Sequence, residues 1–261
     1  MFKKIALATA LIATASFATW DYFPVQEAGK GQAEAGLYYD WDNDWSQSGI
    51  KVGARYALIQ NLELSIQSFG YQFWSEVDCK GCPNGGDGLR DLTLGARYQI
   101  DPRINAFLDV NLPIGSDDDG RNGHPVSSNE VALYLGGQFS MAIPEAPGLA
   151  FGTEAGLDWG FEHDNFERGL EIHVGGEMDY TIPNVGLTPY LGLQFKLQLT
   201  ESTTDDGDTG WDDAGDNQIN IWLGAAYAID PMITVKAQLI VRSGDMDGDA
   251  TGLYAAADFN F

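Results

Sequence analysis

Twelve stretches of this 261-residue chain alternate apolar and polar side chains with a period of two, and helical spacing is nowhere sustained. They cover residues 32–40, 49–58, 61–74, 89–100, 104–114, 128–142, 148–160, 169–182, 187–200, 218–229, 233–243 and 251–261. In "ITVKAQLIVR", Ile233, Val235, Ala237, Leu239 and Val241 share one face, and Thr234, Lys236, Gln238 and Arg242 share the other. A soluble sandwich also alternates, but it hides its apolar face in a core of large interdigitating residues. Here both faces are legible on nearly every strand, as expected where lipid wets one and water the other. The connections fall into two alternating classes. One is short and rich in Ile-Pro and Asp-Pro ("LIQN", "IDPR", "IPEAPG", "IPNVG", "IDPM"), and the other is long and rich in Asp, Gly and Asn. An even number of strands, with short turns at one end and long polar loops at the other, predicts an all-β fold. The expected architecture is a transmembrane antiparallel β-barrel of about 12 strands in a meander, with both termini on the short-turn side.

The N-terminus supports export. "MFKKIALATALIATASFA" sets two lysines before an apolar run and ends on a small-x-small site, which predicts a signal peptide over 1–18. Residues 19–31 are then a periplasmic N-terminal segment and 32–261 the barrel. The net charge of -24 includes Lys3 and Lys4, so the processed chain carries -26. That charge excludes nucleic acid as a partner and disfavours anionic headgroups. The expected location is a bacterial outer membrane, with outer-membrane lipid, small solutes and the barrel assembly machinery as partners.

Two features fit that location. "GARYAL", "GARYQI", "GGQFSMAI", "GGEMDYTI" and "GAAYAI" each close an even-numbered strand before a short turn. They put Tyr56, Tyr98, Phe139, Tyr180 and Tyr227 on the outward parity near one interface, and Tyr39 and Trp159 share that parity at the other, as in an aromatic girdle. The chain also alternates to its last residue. A final strand must close the cylinder on the first, because an unpaired edge in hydrocarbon costs several kcal/mol per backbone group. Leu253, Ala255, Ala257, Phe259 and Phe261 resemble the C-terminal signal that the assembly machinery reads in outer-membrane barrels. The third segment is the exception. Leu62, Leu64 and Ile66 have a parity that Phe69, Tyr71 and Phe73 reverse, so either a bulge lies near Ser68 or these aromatics enter the lumen.

The stretch "GLRDLTLGARYQIDPRINAFLDVNLPIGSDDDG" resembles the core of a family of outer-membrane barrels named after the meta-cleavage pathway of phenol degradation. The matching elements are Asp91, Leu94, Gly95, Arg97, Tyr98, Pro113 and Gly115. The resemblance implies a transporter of solutes, often hydrophobic or aromatic ones.

Inward parity assigns Glu34, Lys51, Arg55, Glu63, Asp91, Arg97, Asp109, Glu154, Glu171, His173, Glu177, Lys196, Lys236, Arg242 and Asp258 to the lumen. Such a set is either a charge network that fills and stiffens a narrow barrel or a solute path with cation preference. Cys79 and Cys82, in a long loop of an exported chain, are expected to form a disulfide. No metal site or cofactor is expected. The Asp-rich loops lack the closing Glu of a calcium loop, and weak divalent binding is all they suggest. No nucleophile pairs with a histidine, so an enzyme is not expected. The function expected is a channel or transporter for small solutes, with a structural or binding barrel without an open pore as the alternative.

Overall fold

The computed structural model describes residues 22, 24–77, 87–116, 126–128, 130–161, 166–204, 212–246 and 248–261. The expected signal peptide, Cys79 and Cys82 lie outside the described residues. Twelve long strands form the wall: β1 (Gly31–Trp41), β2 (Trp45–Ile59), β3 (Leu62–Val77), β4 (Leu92–Asp101), β5 (Ile104–Leu112) and β6 (Ala132–Ala142), followed by β7 (Leu149–Gly160), β8 (Glu171–Tyr180), β9 (Leu187–Gln198), β10 (Asn217–Ala228), β11 (Ile233–Gly244) and β12 (Ala250–Asn260). Each pairs antiparallel with its sequence neighbours, and β1 pairs with both β2 and β12, so the sheet closes on itself. Three two-residue extended pieces, 88–89, 166–167 and 203–204, sit among the long loops. Among the described residues there is no α-helix.

The seam is the one predicted. Gln32 pairs with Asn260 and the register continues to Trp41 opposite Thr251. Gly31 and Phe261 exchange backbone hydrogen bonds of 2.9 Å, and the Phe261 ring stacks near Tyr56. Leu253, Ala255, Ala257, Phe259 and Phe261 all face outward and are exposed. No edge remains where lipid would meet unpaired N–H and C=O groups.

Alternation is regular along the wall. On β8, Ile172, Val174, Met178 and Tyr180 point out between the buried Glu171, His173, Glu177 and Asp179. Tyr39, Tyr56, Tyr98, Trp159, Tyr180 and Tyr227 are exposed on the outer face, and Phe139 is half-buried on the same parity. The third segment takes the bulge. The pairing of β3 with β4 slips between Ile66 and Ser68, and its pairing with β2 slips between Val52 and Ala54. The extra residue restores parity, so Leu64, Ile66, Tyr71 and Phe73 are all exposed outside while Glu63 and Gln72 are buried inside. The turn between β2 and β3 is tight enough to need a left-handed residue, supplied by Asn61 with φ 70°.

Inside, aromatic rings lie flat on glycines of the neighbouring strand. A Cβ on Gly36 would fall 2.5 Å from the Tyr254 hydroxyl, and one on Gly49 would fall 2.5 Å from that of Tyr38. Trp222 covers Gly192 in the same way, and Tyr190 covers Gly224. These notches let large rings fit in a lumen too narrow for a ring and a facing side chain together.

Candidate functional site: the lumen

The inward residues form layers of neighbouring-strand pairs. Nearest the short turns, Arg55 Nε donates to Gln32 at 3.0 Å and its guanidinium lies 4.0 Å from Glu63. Across β4 and β5, Arg97 grips Asp109 with two hydrogen bonds of 2.5 and 2.9 Å. Glu154 accepts from Tyr134 at 2.5 Å and from Gln138 at 2.8 Å. Lys236 bridges Glu34 and Asp258, and Glu34 also accepts from the Tyr254 hydroxyl. Glu177 accepts from the indole N–H of Trp222. These buried charges thus each meet an opposite charge or a polar donor.

At the long-loop end, Arg168 is the hub. It donates to Glu130 at 3.1 Å, Asp158 at 2.9 Å and Glu171 at 2.5 Å, and His173 Nε2 lies 2.7 Å from the other oxygen of Glu171. Burial and the two acidic neighbours outweigh Arg168 at Glu130 and push its carboxyl above the usual glutamate range. Asp158, Glu171 and His173 could together ligate a metal ion, but the guanidinium already supplies their positive charge. Lys196 stands beside His173 in the register of β8 and β9.

Asp91 is the one candidate outside the wall. It precedes β4 at the long-loop end, where its carboxylate accepts hydrogen bonds from Gly115 N (3.0 Å), Ser127 Oγ (2.5 Å), Ser128 N (2.8 Å) and Ser128 Oγ (2.7 Å). Burial alone would raise its pKa, and these four donors more than offset that and hold it below the usual aspartate range. Asp91 therefore clamps the base of the loop between β5 and β6.

Within the segment expected to be a periplasmic tail, several groups turn inward. Val25 N donates to the Gln99 side chain at 3.1 Å and Gln26 N to Glu63 at 3.2 Å. Gly29 N donates to Ala57 O at 2.8 Å, which ties the segment to the base of β2. Tyr22 reaches the far wall. Its ring stacks on Trp222 with centroids 5.8 Å apart, and it is packed with Tyr190 and Ala226. Its carbonyl and hydroxyl fill the notches at Gly152 and Gly175, midway up β7 and β8. The chain thus crosses its own lumen.

Above this crossing lie two cavities bordered by described residues. One, of about 460 Å³, lies between β1, β2 and β9 to β12 and is lined by Lys51, Arg90, Lys236, Arg242, Glu34 and Asp40 together with Tyr22, Tyr38, Trp222 and Tyr254. The other, of about 430 Å³, lies against β4 to β7 and meets Asp109, Tyr134, Glu130, Asp158 and Arg168. Inward parity identified most of the ionisable groups. It carried no signal for Tyr22, which precedes the first alternating segment, or for Arg168, which belongs to a loop by sequence, and within the stretch 89–100 it puts Arg90 on the parity opposite to Asp91 and Arg97.

Comparison with known proteins agrees with this architecture. An outer membrane channel from Pseudomonas putida F1 superposes with a TM-score of 0.72 at 16% identity, covering 94% of this chain and 100% of that one. The NanC porin gives 0.55 at 12% identity over 87% and 98% of the two chains. The translocator domain of the autotransporter NalP from Neisseria meningitidis gives 0.58 at 11% identity over 99% and 98%. At these identities the likeness is one of fold. No curated protein sequence matches the chain. The family model described as "Putative MetA-pathway of phenol degradation" matches residues 15–245, nearly the whole length, and the chain belongs to that family.

Proposed function

We propose that this protein is an outer-membrane channel or transporter for small solutes, with a path constricted by its own N-terminal segment. The observation that carries the reading is a closed barrel whose lumen is lined by polar and charged side chains and holds two cavities above the crossing at Tyr22. A barrel that served only as a scaffold could fill this space with apolar side chains, whereas a solute path needs groups that replace water around the solute. The outward apolar band and aromatic rings fit an outer-membrane setting with the termini in the periplasm, and the C-terminal seam fits a substrate of the barrel assembly machinery. The alternative, a barrel with no open pore, is favoured by Tyr22 on Trp222, a stacked pair of rings held inside the lumen. Planar bilayers separate the two. The folded chain is expected to give small discrete current steps, and Tyr22→Ala larger ones, because the ring that fills the notch at Gly175 is gone. Silent membranes from both proteins would overturn the channel reading and leave the closed barrel.

A further inference from the structure

The larger cavity has the opposite electrical character to the chain around it. The whole sequence carries a net charge of -24, yet this cavity is lined by Lys51, Arg90, Lys236 and Arg242 against only Glu34 and Asp40. The carboxylates are already engaged. Glu34 takes Lys236 and the Tyr254 hydroxyl, and Asp40 takes Arg242 at 3.3 Å and Gln47 at 3.3 Å. A third carboxylate, Asp258, contacts Lys236 at 3.4 Å without lining the cavity. Counting all three, one positive charge remains uncompensated.

That excess resides on Lys51 and Arg90. The Lys51 side chain makes no hydrogen bond and no ion pair within 4.0 Å among the described residues, and Glu34, already engaged, is the acid it feels. Arg90 donates to a neutral group, the Tyr38 hydroxyl, at 3.0 Å, and its guanidinium lies 5.3 Å from the centre of that ring. The two residues stand close together on one wall and both line the cavity. Arg90 N donates to Gly70 O at 3.0 Å, and a Cβ on Gly70 would sit 3.3 Å from the Lys51 Cα. Four rings line the rest of the cavity, together with Ser68, Gln194, Gln238, Ile240 and Leu253. Tyr38 and Tyr254 lie on Gly49 and Gly36, and Trp222 and Tyr22 stack below. Glu177 does not line the cavity, since the Trp222 ring that it binds stands at that boundary.

We propose that this cavity is a binding site for small monocarboxylates with a planar apolar body, the carboxylate received by Lys51 and Arg90 and the body held among the rings. A volume of about 460 Å³ suits a small-molecule site. Two partly buried cations that share only an acid already engaged by Lys236 are costly to hold unless an anion completes them. The inference rests on the lumen being reachable by solutes, as proposed above.

The test is titration calorimetry on the folded, detergent-solubilised full chain with benzoate, benzyl alcohol and benzamidinium, which share a ring and differ in charge. Benzoate is expected to bind at least about tenfold more tightly than benzyl alcohol, and benzamidinium least, because a charge-assisted hydrogen bond is worth that much. Lys51→Met and Arg90→Met should each weaken benzoate by about tenfold and leave benzyl alcohol unchanged, while Lys196→Met, away from this cavity, should change neither. The ligand series on the unsubstituted protein stands even if a variant does not fold. Equal binding of benzoate and benzyl alcohol, a preference for benzamidinium, or benzoate binding indifferent to both substitutions would each overturn the site. Benzoate binding by a protein that passes no current would retain the site and remove the channel. Current without discrimination by ligand charge would do the reverse.

Discussion

The glycine notches make the lumen sensitive to single methyl groups. A Cβ on Gly192 would lie 2.1 Å from the Trp222 ring, which could withdraw only by giving up its stacking on Tyr22 and its hydrogen bond to Glu177. Gly192→Ala should therefore destabilise the folded barrel by roughly 1–3 kcal/mol, the cost of overpacking a filled interior. Gly137→Ala is the control, since its Cβ would meet only Asn105 O at an ordinary 3.6 Å. Urea unfolding in lipid vesicles checks this, with the midpoint expected to fall for the first variant and hold for the second. At this scale the sequence is partly legible. A period-two pattern assigns Gly36 and Tyr254 to the inside, but which ring lies on which glycine depends on the strand register. Single-strand parity carries no register.

The strands themselves were largely written in the sequence, because two solvents on two faces impose alternation on every one of them. The sequence segments 104–114 and 187–200 overran their strands by two residues, since Pro113 and the long-loop residues after Gln198 leave the ladder. The bulge in β3 was legible as a break in parity at Ser68, but parity alone did not decide between a bulge and aromatics in the lumen. Register did: Ile66 pairs with Leu94 and Ser68 with Thr93, so Gln67 is the extra residue. The alternating stretch 89–100 starts three residues ahead of β4, and so inward parity assigns Asp91 to the lumen rather than to its loop-clamping position. The clamp has a pH signature. Its folded pKa is depressed, so its stabilisation is fully present above about pH 4, the unfolded aspartate value, and is lost as pH falls through the lower folded value. Amide exchange at Gly115 and Ser128 should stay slow at pH 5 and accelerate only well below pH 4. Asp91→Asn should make both amides exchange faster at pH 5 and bring the two proteins together at the acid end, where the clamp is lost in both. Protection that is indifferent to Asp91→Asn would contradict the clamp.

For the whole molecule, the closed cylinder was recoverable from the chain's last residues and from the alternation of short and long connections, since both follow from backbone groups having no partner in hydrocarbon. The crossing by the N-terminal segment was not. Nothing local in "DYFPVQEAGKG" distinguishes a tail from a plug, and only the notches at Gly152 and Gly175, far along the chain, make room for it. The charge of the lumen was hidden for a similar reason. The inward acids and bases allow either a filling charge network or a path with cation preference, whereas pairing cancels most of them and leaves Lys51 and Arg90 facing one cavity. All of this requires a cylinder with acyl chains outside and a wet, polar lumen. Nitroxide labels on the full chain folded into lipid vesicles test that most directly, with one label at Leu223, exposed on the outer face of β10, and one at Asn220, which faces inward on the same strand. The label at position 223 should collide with lipid-dissolved oxygen and be shielded from an aqueous nickel chelate, and the label at 220 should be shielded from the lipid phase. Equal access of the nickel chelate to both, or recovery of the folded chain as a detergent-free soluble monomer, would contradict the account.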